Sequence, residues 1–302
     1  MCGIAGLFAK ASTVEERLGE HLADMLEQLS DRGPDSAGVA VYRDPVAPGH
    51  VKLCLHSAAI APDWAAVRED LAAAFGGTPE LELRGSHALL VVETDPAAAV
   101  AYLRESHPAL RVMSAGESIE IYKAVGDPRA FIDDFGLREL HGSHALGHTR
   151  MATESAVTTD GSHPFSTGHD LCLVHNGSLS NHNRLRLELR RAGIEFETLN
   201  DTEVAAGYLT WRMREGASLA EALEGCLEDL DGFYTFAVGT HDGFAVLRDP
   251  IACKPAVMAE TDEWVAMASE WRAIAVLPGA ADAEAWEPAP GKVYSWEREA
   301  VA

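Results

Sequence analysis

The second residue, Cys2, carries two groups that can act together in acyl transfer. Because cysteine is small, the initiating Met1 is expected to be removed, which would leave a thiol and a free α-amine on Cys2. An α-amine titrates near about 7.7–8.0, so at neutral pH part of it can accept the thiol proton, directly or through water. Cys2 is therefore a candidate nucleophile with its own general base. The alternative interpretation is a small hydrophobic residue at the start of a buried strand.

An acyl-transfer site also needs donors for a developing oxyanion. Asn176 and Gly177 follow the apolar run 171–174. The side-chain amide of Asn176 and the backbone N–H of Gly177 can point at one oxygen, since glycine allows a close approach. Asn-Gly is also the pair most typical of a hairpin turn, and this alternative stays open at the level of sequence.

A substrate with an α-carboxylate and an α-ammonium group needs a cation and an acid. Arg150 stands at the end of one predicted strand, and Asp201 stands at the start of a predicted helix. The alternatives are a surface ion pair for Arg150 and an N-cap for Asp201. Three histidines, His148, His163 and His175, adjoin these motifs. We interpret them as structural hydrogen-bonding residues, and a catalytic role is the alternative.

The elements that must hold these residues are predicted from hydrophobic periodicity. Apolar runs predict buried strands at 3–8 and 37–42, and helical spacing predicts an amphipathic helix over 14–29 with Ser12 or Thr13 as its N-cap. Short apolar runs joined by hairpin signals follow along the chain, and further helices are predicted at 181–192, 202–214 and 219–227. This mixture predicts an α+β fold with antiparallel sheets and not a βαβ ladder.

The stretch at about 51–140 is predicted to be an insertion or small subdomain within a single domain spanning 1–302. Inside it, the segments 110–116 and 118–125 are predicted to form a strand pair.

Composition excludes several classes of function. The 24 basic and 47 acidic residues give a net charge of −23 over 302 residues, and the pI is about 4.8. Such a chain lacks the basic face that nucleic acids and anionic membranes require. No transmembrane-length apolar run and no signal peptide are evident, so we expect a cytoplasmic protein. The five cysteines lie far apart without a Cys-x-x-Cys pair, which argues against disulfides and metal sites.

Taken together and in order, the motifs closely resemble those of the class II glutamine amidotransferases, which are N-terminal-nucleophile hydrolases. The motifs that carry the resemblance are MCGIAG at 1–6, DRGPDSAG at 31–38, GHTRMAT at 147–153, His163-Pro164, HNG at 175–177 and DTE at 201–203. The resemblance implies a four-layer αββα sandwich with antiparallel sheets.

The resemblance also implies residue roles. Cys2 would be the nucleophile, Arg150 with Thr153 would bind the α-carboxylate of glutamine, and Asp201 would hold its α-ammonium group. The remaining roles follow from the same motifs: an oxyanion hole made by Asn176 and Gly177, and support of the N-terminus by Arg32.

Within this family the chain looks most like the free-standing amidotransferase subunits of the glutamate-synthase-like group, which includes the N-methylglutamate synthases. This similarity implies glutamine as substrate, no cofactor in this chain, and a hetero-oligomer with glutamate-synthase-like partner subunits that carry FMN and iron–sulfur clusters. Two alternatives remain. One is a non-catalytic structural or regulatory subunit that keeps the fold. The other is an N-terminal-cysteine hydrolase of another amide, such as a conjugated bile salt or penicillin, although Arg150 with Asp201 suits an amino-acid head group better.

Overall fold

The strand that follows Cys2, β1 at Gly3–Ala9, is buried along its whole length. It lies inside a large antiparallel sheet, between one strand near the C-terminus and one from the middle of the chain. The computed structural model describes residues 2–57, 62–152 and 157–298. Within these ranges no helix is both long enough and apolar enough to span a membrane.

The strands of the described residues are distributed from the N-terminus to the C-terminal end. In chain order they are β1 Gly3–Ala9, β2 Ser36–Tyr42, β3 His50–Ser57, β4 Glu80–Arg84, β5 His87–Glu93, β6 Leu110–Gly116, β7 Ile119–Val125, β8 His144–Arg150, β9 Phe165–Gly168, β10 Leu171–Leu179, β11 Gly232–Gly239, β12 Gly243–Arg248, β13 Val257–Glu260, β14 Trp264–Ala268, β15 Glu284–Trp286 and β16 Val293–Glu297.

The α-helices of the same residues are interleaved with these strands. They are α1 Ser12–Glu15, α2 Leu18–Leu29, α3 Trp64–Phe75, α4 Pro96–Ser106, α5 Pro128–Asp134, α6 His182–Arg191, α7 Asp201–Arg214, α8 Leu219–Asp229 and α9 Trp271–Ile274.

In the described part of the chain, the strands form three antiparallel sheets. The first has the order β15-β13-β14-β1-β8-β2-β7, the second β16-β12-β11-β10-β9, and the third β4-β5-β3-β6. Alternate residues of the second sheet pack in different cores. Cys172 and Val174 join the core shared with the first sheet, whereas Leu173 and Leu179 pack with α6, α7 and α8. Helix α2 covers the other face of the first sheet. The layers are therefore helix, sheet, sheet, helix, and the predicted α+β sandwich is confirmed.

The predicted insertion at about 51–140 divides between two sheets. Strands β3 to β6 form the third sheet, which shares a separate core with α3 and α4. Strand β7, in contrast, pairs with β2 in the first sheet, so the predicted pairing of 110–116 with 118–125 is wrong. The turn between β6 and β7 is held by the Asp170 carboxylate, which accepts the backbone N–H groups of Glu117, Ser118 and Ile119. These bonds fix the point where the chain leaves one sheet for the other.

The helix predicted over 14–29 is broken after its first turn. Ala11 precedes α1 and Arg17 precedes α2, and neither helix start has a side-chain cap, so the prediction that Ser12 or Thr13 is the N-cap is wrong. The N–H of Gly19, in the first turn of α2, donates to the carbonyl of Leu140 instead. A tertiary contact thus satisfies a donor that a capping side chain would otherwise serve.

Candidate active site

Cys2 stands at the start of the central strand β1, at one end of the sandwich. Its side chain is half-buried, and its Sγ lies 3.4 Å from the backbone nitrogen of Met151 and 3.7 Å from the Met151 carbonyl oxygen. Met151 follows directly on β8, the neighbour of β1 in the sheet. The thiol is therefore placed beside the end of β8, where Arg150 also lies.

The backbone carbonyl of Cys2 is held by two side chains from distant parts of the sequence. Arg32 Nε donates to it at 3.1 Å and Asn176 Nδ2 at 3.3 Å. Arg32 is in turn paired with Glu270, which follows β14. Asn176 Nδ2 also donates to Ser269 Oγ at 3.1 Å, and the same hydroxyl accepts the N–H of Ile4. The segment after β14 thereby fixes the N-terminal strand, the oxygen of Cys2 and the amide of Asn176 together.

The loop between α2 and β2 is attached to the end of β8. Pro34 forms an isolated bridge with Arg150, and the N–H of Asp35 donates to the Arg150 carbonyl. The Asp35 carboxylate accepts the N–H of Ala152 at 2.8 Å. Arg150 is only 6% exposed, so the alternative of a surface ion pair does not apply to it. This loop fixes the backbone on both sides of the arginine.

Gly177 lies inside β10, not in a hairpin turn, so the turn interpretation of Asn-Gly is wrong. Its partner in β11 is Tyr234, whose N–H donates to Asp249 Oδ1 and whose carbonyl accepts the N–H of Asp249. Because both backbone groups of Tyr234 bond to Asp249 and not to β10, the N–H of Gly177 points away from β11. Strand β9 pairs with β10 only as far as Leu173, so this edge is uncovered at Gly177. A side chain could not replace the glycine: φ is +148°, and a Cβ would lie 2.0 Å from the Phe233 carbonyl oxygen.

The uncovered edge of β10 presents three N–H groups in a row. His175 donates its N–H to His163 Nδ1 at 3.3 Å, and Leu179 donates its N–H to Asp201 Oδ2 at 2.9 Å. Between them, the N–H of Gly177 has no hydrogen-bond partner among the described residues. It is a donor available to a bound molecule.

Asp201 is the first residue of α7, and its carboxylate faces the same edge. Asn200 is the N-cap, because its side chain accepts the N–H of Thr202, so the alternative role of Asp201 as the cap is wrong. Asp201 Oδ1 lies 3.9 Å from His175 Nδ1. The acid is thus held at a helix start next to the open donor of Gly177.

Three histidine rings lie behind the site. His148 and His163 stack with ring centroids 4.1 Å apart, and His163 and His175 with centroids 6.4 Å apart. Burial lowers the pKa of His148 to about 3 and the pKa of His163 well below its usual value, and it also lowers the pKa of His175. His148 Nε2 lies 3.3 Å from Asn176 Oδ1 and, as a neutral ring, donates to it. This bond orients the Asn176 amide with its nitrogen toward Cys2.

A cavity of about 260 Å³ joins these parts. Six of the seven predicted site residues line it: Cys2, Arg32, Arg150, Asn176, Gly177 and Asp201. The seventh, Thr153, lies outside the described residues. The chain thus brings together side chains that are up to 199 positions apart in sequence.

Sequence reasoning missed four residues of this region. Lys254 lines the cavity, Ser269 and Glu270 hold the N-terminal strand and Arg32, and Asp35 holds the chain after Arg150. Asp35 and Lys254 belong to motifs of the resemblance, DRGPDSAG at 31–38 and LRDPIACKP at 247–255, whereas Ser269 and Glu270 belong to none.

A larger cavity of about 360 Å³ lies between the third sheet and α7. Its charged groups already interact with one another: Arg104 pairs with Glu195, and Arg111 lies 3.5 Å from Asp160 and 4.0 Å from Glu197. It contains no cysteine, so we assign the acyl-transfer site to the smaller cavity. In the described ranges, no group of three or more histidine, cysteine, aspartate or glutamate side chains is arranged to hold a metal ion.

Two family models match the chain, and both describe a glutamine amidotransferase domain. One covers residues 1–71, which include Cys2 and Arg32, and the other covers residues 148–276, which include the remaining cavity residues. Residues from both matched ranges therefore line the cavity.

Two relatives match over essentially the whole chain. A glutamine amidotransferase-like protein GlxB of Rhizobium meliloti is 55% identical over 303 residues, covering 100% of both chains. A putative glutamine amidotransferase of Methanothermobacter thermautotrophicus is 32% identical and covers 97% of this chain and 99% of its own.

A solved structure of a glutamine phosphoribosylpyrophosphate amidotransferase from B. subtilis has the same fold, with a TM-score of 0.62 at 21% identity. The match covers 98% of this chain and 47% of the other. It therefore supports the architecture.

Proposed function

The chain belongs to the class II glutamine amidotransferases, and from this premise we propose that it is the glutaminase subunit of a glutamate-synthase-like complex. The observation that carries the proposal is the cavity in which the thiol of Cys2, the cation of Arg150, the carboxylate of Asp201 and the open N–H of Gly177 meet. These are the groups needed for an amino-acid head group to be bound and its side-chain amide to be cleaved.

In the proposed first step, Met1 has been removed and the α-amine of Cys2 takes the thiol proton. The sulfur attacks the side-chain amide carbon of glutamine, a C–S bond forms, and the π electrons of the carbonyl move onto its oxygen. The intermediate collapses, the C–N bond breaks, and ammonia leaves with the proton returned by the α-ammonium group. Water then hydrolyses the γ-glutamyl thioester to glutamate and the free thiol.

The head group of glutamine would lie between Arg150 and Asp201. The arginine would bind the α-carboxylate, helped by Thr153, and the aspartate would bind the α-ammonium group. Both residues line the cavity. Asp201 Oδ2 accepts the N–H of Leu179, and Asp201 Oδ1 lies 3.9 Å from His175 Nδ1. This arrangement favours a free amino acid over a bulkier amide.

The oxyanion would be stabilised by hydrogen bonds from the N–H of Gly177 and the side-chain amide of Asn176. The two hydrogens of Asn176 Nδ2 are used on the Cys2 carbonyl and on Ser269 Oγ, at 3.3 and 3.1 Å. Asn176 would therefore exchange its longer bond for the substrate oxygen when glutamine binds. Arg32 keeps the Cys2 carbonyl in place during this exchange.

We further propose that ammonia is used on a separate chain of the glutamate-synthase type, of which N-methylglutamate synthase is the model. That partner would carry the FMN and iron–sulfur clusters, and the two would form a hetero-oligomer. The proposal is supported by the resemblance of the motifs at 147–153, 175–177 and 201–203 to those of the free-standing amidotransferase subunits of this group.

The test is the intact mass of the purified chain before and after treatment with 6-diazo-5-oxo-norleucine, an alkylating analogue of glutamine. We expect a mass without Met1 and a single adduct on Cys2. The matched control is Cys253, the exposed free cysteine, which should react with iodoacetamide but not with the analogue.

Cys2→Ala should abolish both the adduct and the release of ammonia from glutamine, whereas Cys253→Ala should retain both. A mass that retains Met1, without an adduct even in the presence of the partner chain, would favour a structural subunit instead. To test the partner, this chain is mixed with the synthase chain and its acceptor. Glutamine turnover should rise at least about tenfold, because active-site loops often close only when the complex has formed.

A further inference from the structure

A buried ring nitrogen of His175, a residue that lines the cavity, is left unused by the hydrogen bonds of the described residues. The residue is 4% exposed and is one of those that line the cavity, and its Nδ1 lies 3.9 Å from Asp201 Oδ1. Its Nε2 is buried and has no hydrogen-bond partner among the described residues. The same atom lies 2.7 Å from the position that a Cβ on Gly177 would take, so it faces the glycine.

The hydrogen bonds behind the site determine whether this atom carries a proton. The backbone N–H of His175 donates to His163 Nδ1, so in the neutral ring of His163 the proton is on Nε2. That Nε2–H donates to Thr202 Oγ1 at 3.2 Å. The Thr202 hydroxyl then has its own hydrogen free for His175 Nδ1, at 3.0 Å.

These hydrogen bonds form a relay that runs from His163 through Thr202 to His175, and they fix the tautomer of His175. Because Nδ1 accepts from Thr202 and the buried ring is neutral, the proton of the imidazole is on Nε2. An N–H donor without an acceptor in a buried position is costly, and few such groups persist in folded proteins. The acceptor is expected to come from the molecule that fills the cavity.

We propose that the Nε2–H of His175 is a third donor to the side-chain carbonyl oxygen of glutamine, beside Gly177 and Asn176. The assignment rests on the proposed function. Gly177, which lines the cavity, lies beside this nitrogen, and its open N–H would serve the amide end of the substrate. Arg150, the cation for the α-carboxylate, comes from the other sheet.

The donor acts in the step in which sulfur adds to the amide carbon and the carbonyl electrons move onto oxygen. No proton is transferred by His175, since the hydrogen stays on Nε2 throughout. A hydrogen bond that strengthens as the oxygen becomes anionic lowers the barrier without tightening the binding of glutamine. This effect on kcat and not on KM distinguishes His175 from the residues that bind the head group of glutamine.

Two variants separate the donor from the relay. In His175→Asn the side-chain oxygen can accept from Thr202 as Nδ1 does, but no group reaches the position of Nε2. In His175→Gln the longer amide can place an N–H near the position of Nε2. We expect His175→Asn to lower kcat for glutamine hydrolysis at least about tenfold with KM within about twofold, and His175→Gln to recover most of the loss.

Thr202 supplies a second pair that leaves the histidine in place. Thr202→Ser keeps the hydroxyl of the relay, and Thr202→Val removes it with nearly the same shape. In protein labelled with ¹⁵N-histidine, the wild type and Thr202→Ser should show a protonated Nε2 on His175, and Thr202→Val should show a mixture of tautomers. This readout does not depend on turnover.

Each outcome supports or overturns a named part of the proposal. A rise in KM at constant kcat in His175→Asn would assign the donor to the α-carboxylate and overturn the proposal. Equal losses in the Asn and Gln variants, or a wild-type Nδ1–H tautomer, would also overturn it. Wild-type protein that lacks Met1 but neither hydrolyses glutamine nor reacts with the analogue would overturn the proposed function itself.

Discussion

Replacing Ser269 with alanine should loosen the N-terminal strand and misplace the nucleophile in one change. The hydroxyl is buried, and it accepts hydrogen bonds from the Ile4 N–H at 2.9 Å and from Asn176 Nδ2 at 3.1 Å. The backbone N–H of Ser269 donates to the Ile4 carbonyl, and alanine would keep that bond. The substitution therefore removes an acceptor and leaves the rest of the strand pairing intact.

The loss of stability follows from the donors that lose their partner. The Ile4 N–H is fully buried and would find no other acceptor, which costs about 1–3 kcal/mol. Asn176 Nδ2 keeps its hydrogen bond to the Cys2 carbonyl, so the loss of its bond to Ser269 adds little to the cost in free energy. For a domain of this size, that free energy corresponds to a fall in Tm of roughly 2–10 °C. With the amide of Asn176 less restrained, we expect kcat for glutamine to fall by about tenfold.

The assay pairs thermal unfolding, followed by circular dichroism, with steady-state release of ammonia from glutamine. Ser106→Ala is the matched control, because Ser106 is an exposed serine at the end of α4, where the same substitution should change stability by less than about 0.5 kcal/mol. A Ser269→Ala protein with the Tm and kcat of the wild type would refute the reasoning. So would a full loss of stability without any loss of kcat in the folded fraction, since the two effects share one hydroxyl.

Three further predictions concern the carboxylates and the buried histidines. Asp170→Ala should destabilise the fold by about 2–4 kcal/mol in urea unfolding, because three backbone N–H groups of the turn between β6 and β7 lose their acceptor, while the KM of the folded protein stays unchanged. Asp201→Asn should raise the KM for glutamine at least about tenfold through loss of the charge facing the α-ammonium group; an unchanged KM would exclude that role. Burial lowers the pKa of His87, His144 and His148 from 6.5 to about 3. Below pH 6.5 these histidines therefore bind protons in the unfolded chain but stay neutral in the folded chain. Between pH 7.5 and 5.5 the unfolding free energy should therefore fall by about 4 kcal/mol, and a stability that rises toward acid pH would contradict this sign.

The site was predictable from sequence because its residues sit where elements start or end. Cys2 precedes β1, Arg150 ends β8 and Asp201 begins α7, and these boundaries are marked by composition. Their mutual approach was not derivable from periodicity. It came from the resemblance, whose motifs kept their order, and in the structure these positions line one cavity.

The errors have physical causes in long-range contacts. The segments that became β6 and β7 are separated by two residues, and proximity in sequence favours pairing. Asp170, more than 50 residues away, instead fixes the turn between them. Ser269 and Glu270 were missed for the same reason, since a Ser-Glu pair has no signal of its own and acts through Ile4 and Arg32, over 230 positions earlier.

The open N–H of Gly177 depends on where β9 stops. Strand β9 covers β10 up to Leu173, and at His175 the ring of His163 replaces the missing strand as acceptor. At Leu179 the carboxylate of Asp201 does the same. Gly177 alone, between these two side-chain substitutes, keeps a donor for a ligand. Among the three N–H groups of this edge in the described residues, only that of Gly177 is left open, and Gly177 lines the cavity that contains Cys2.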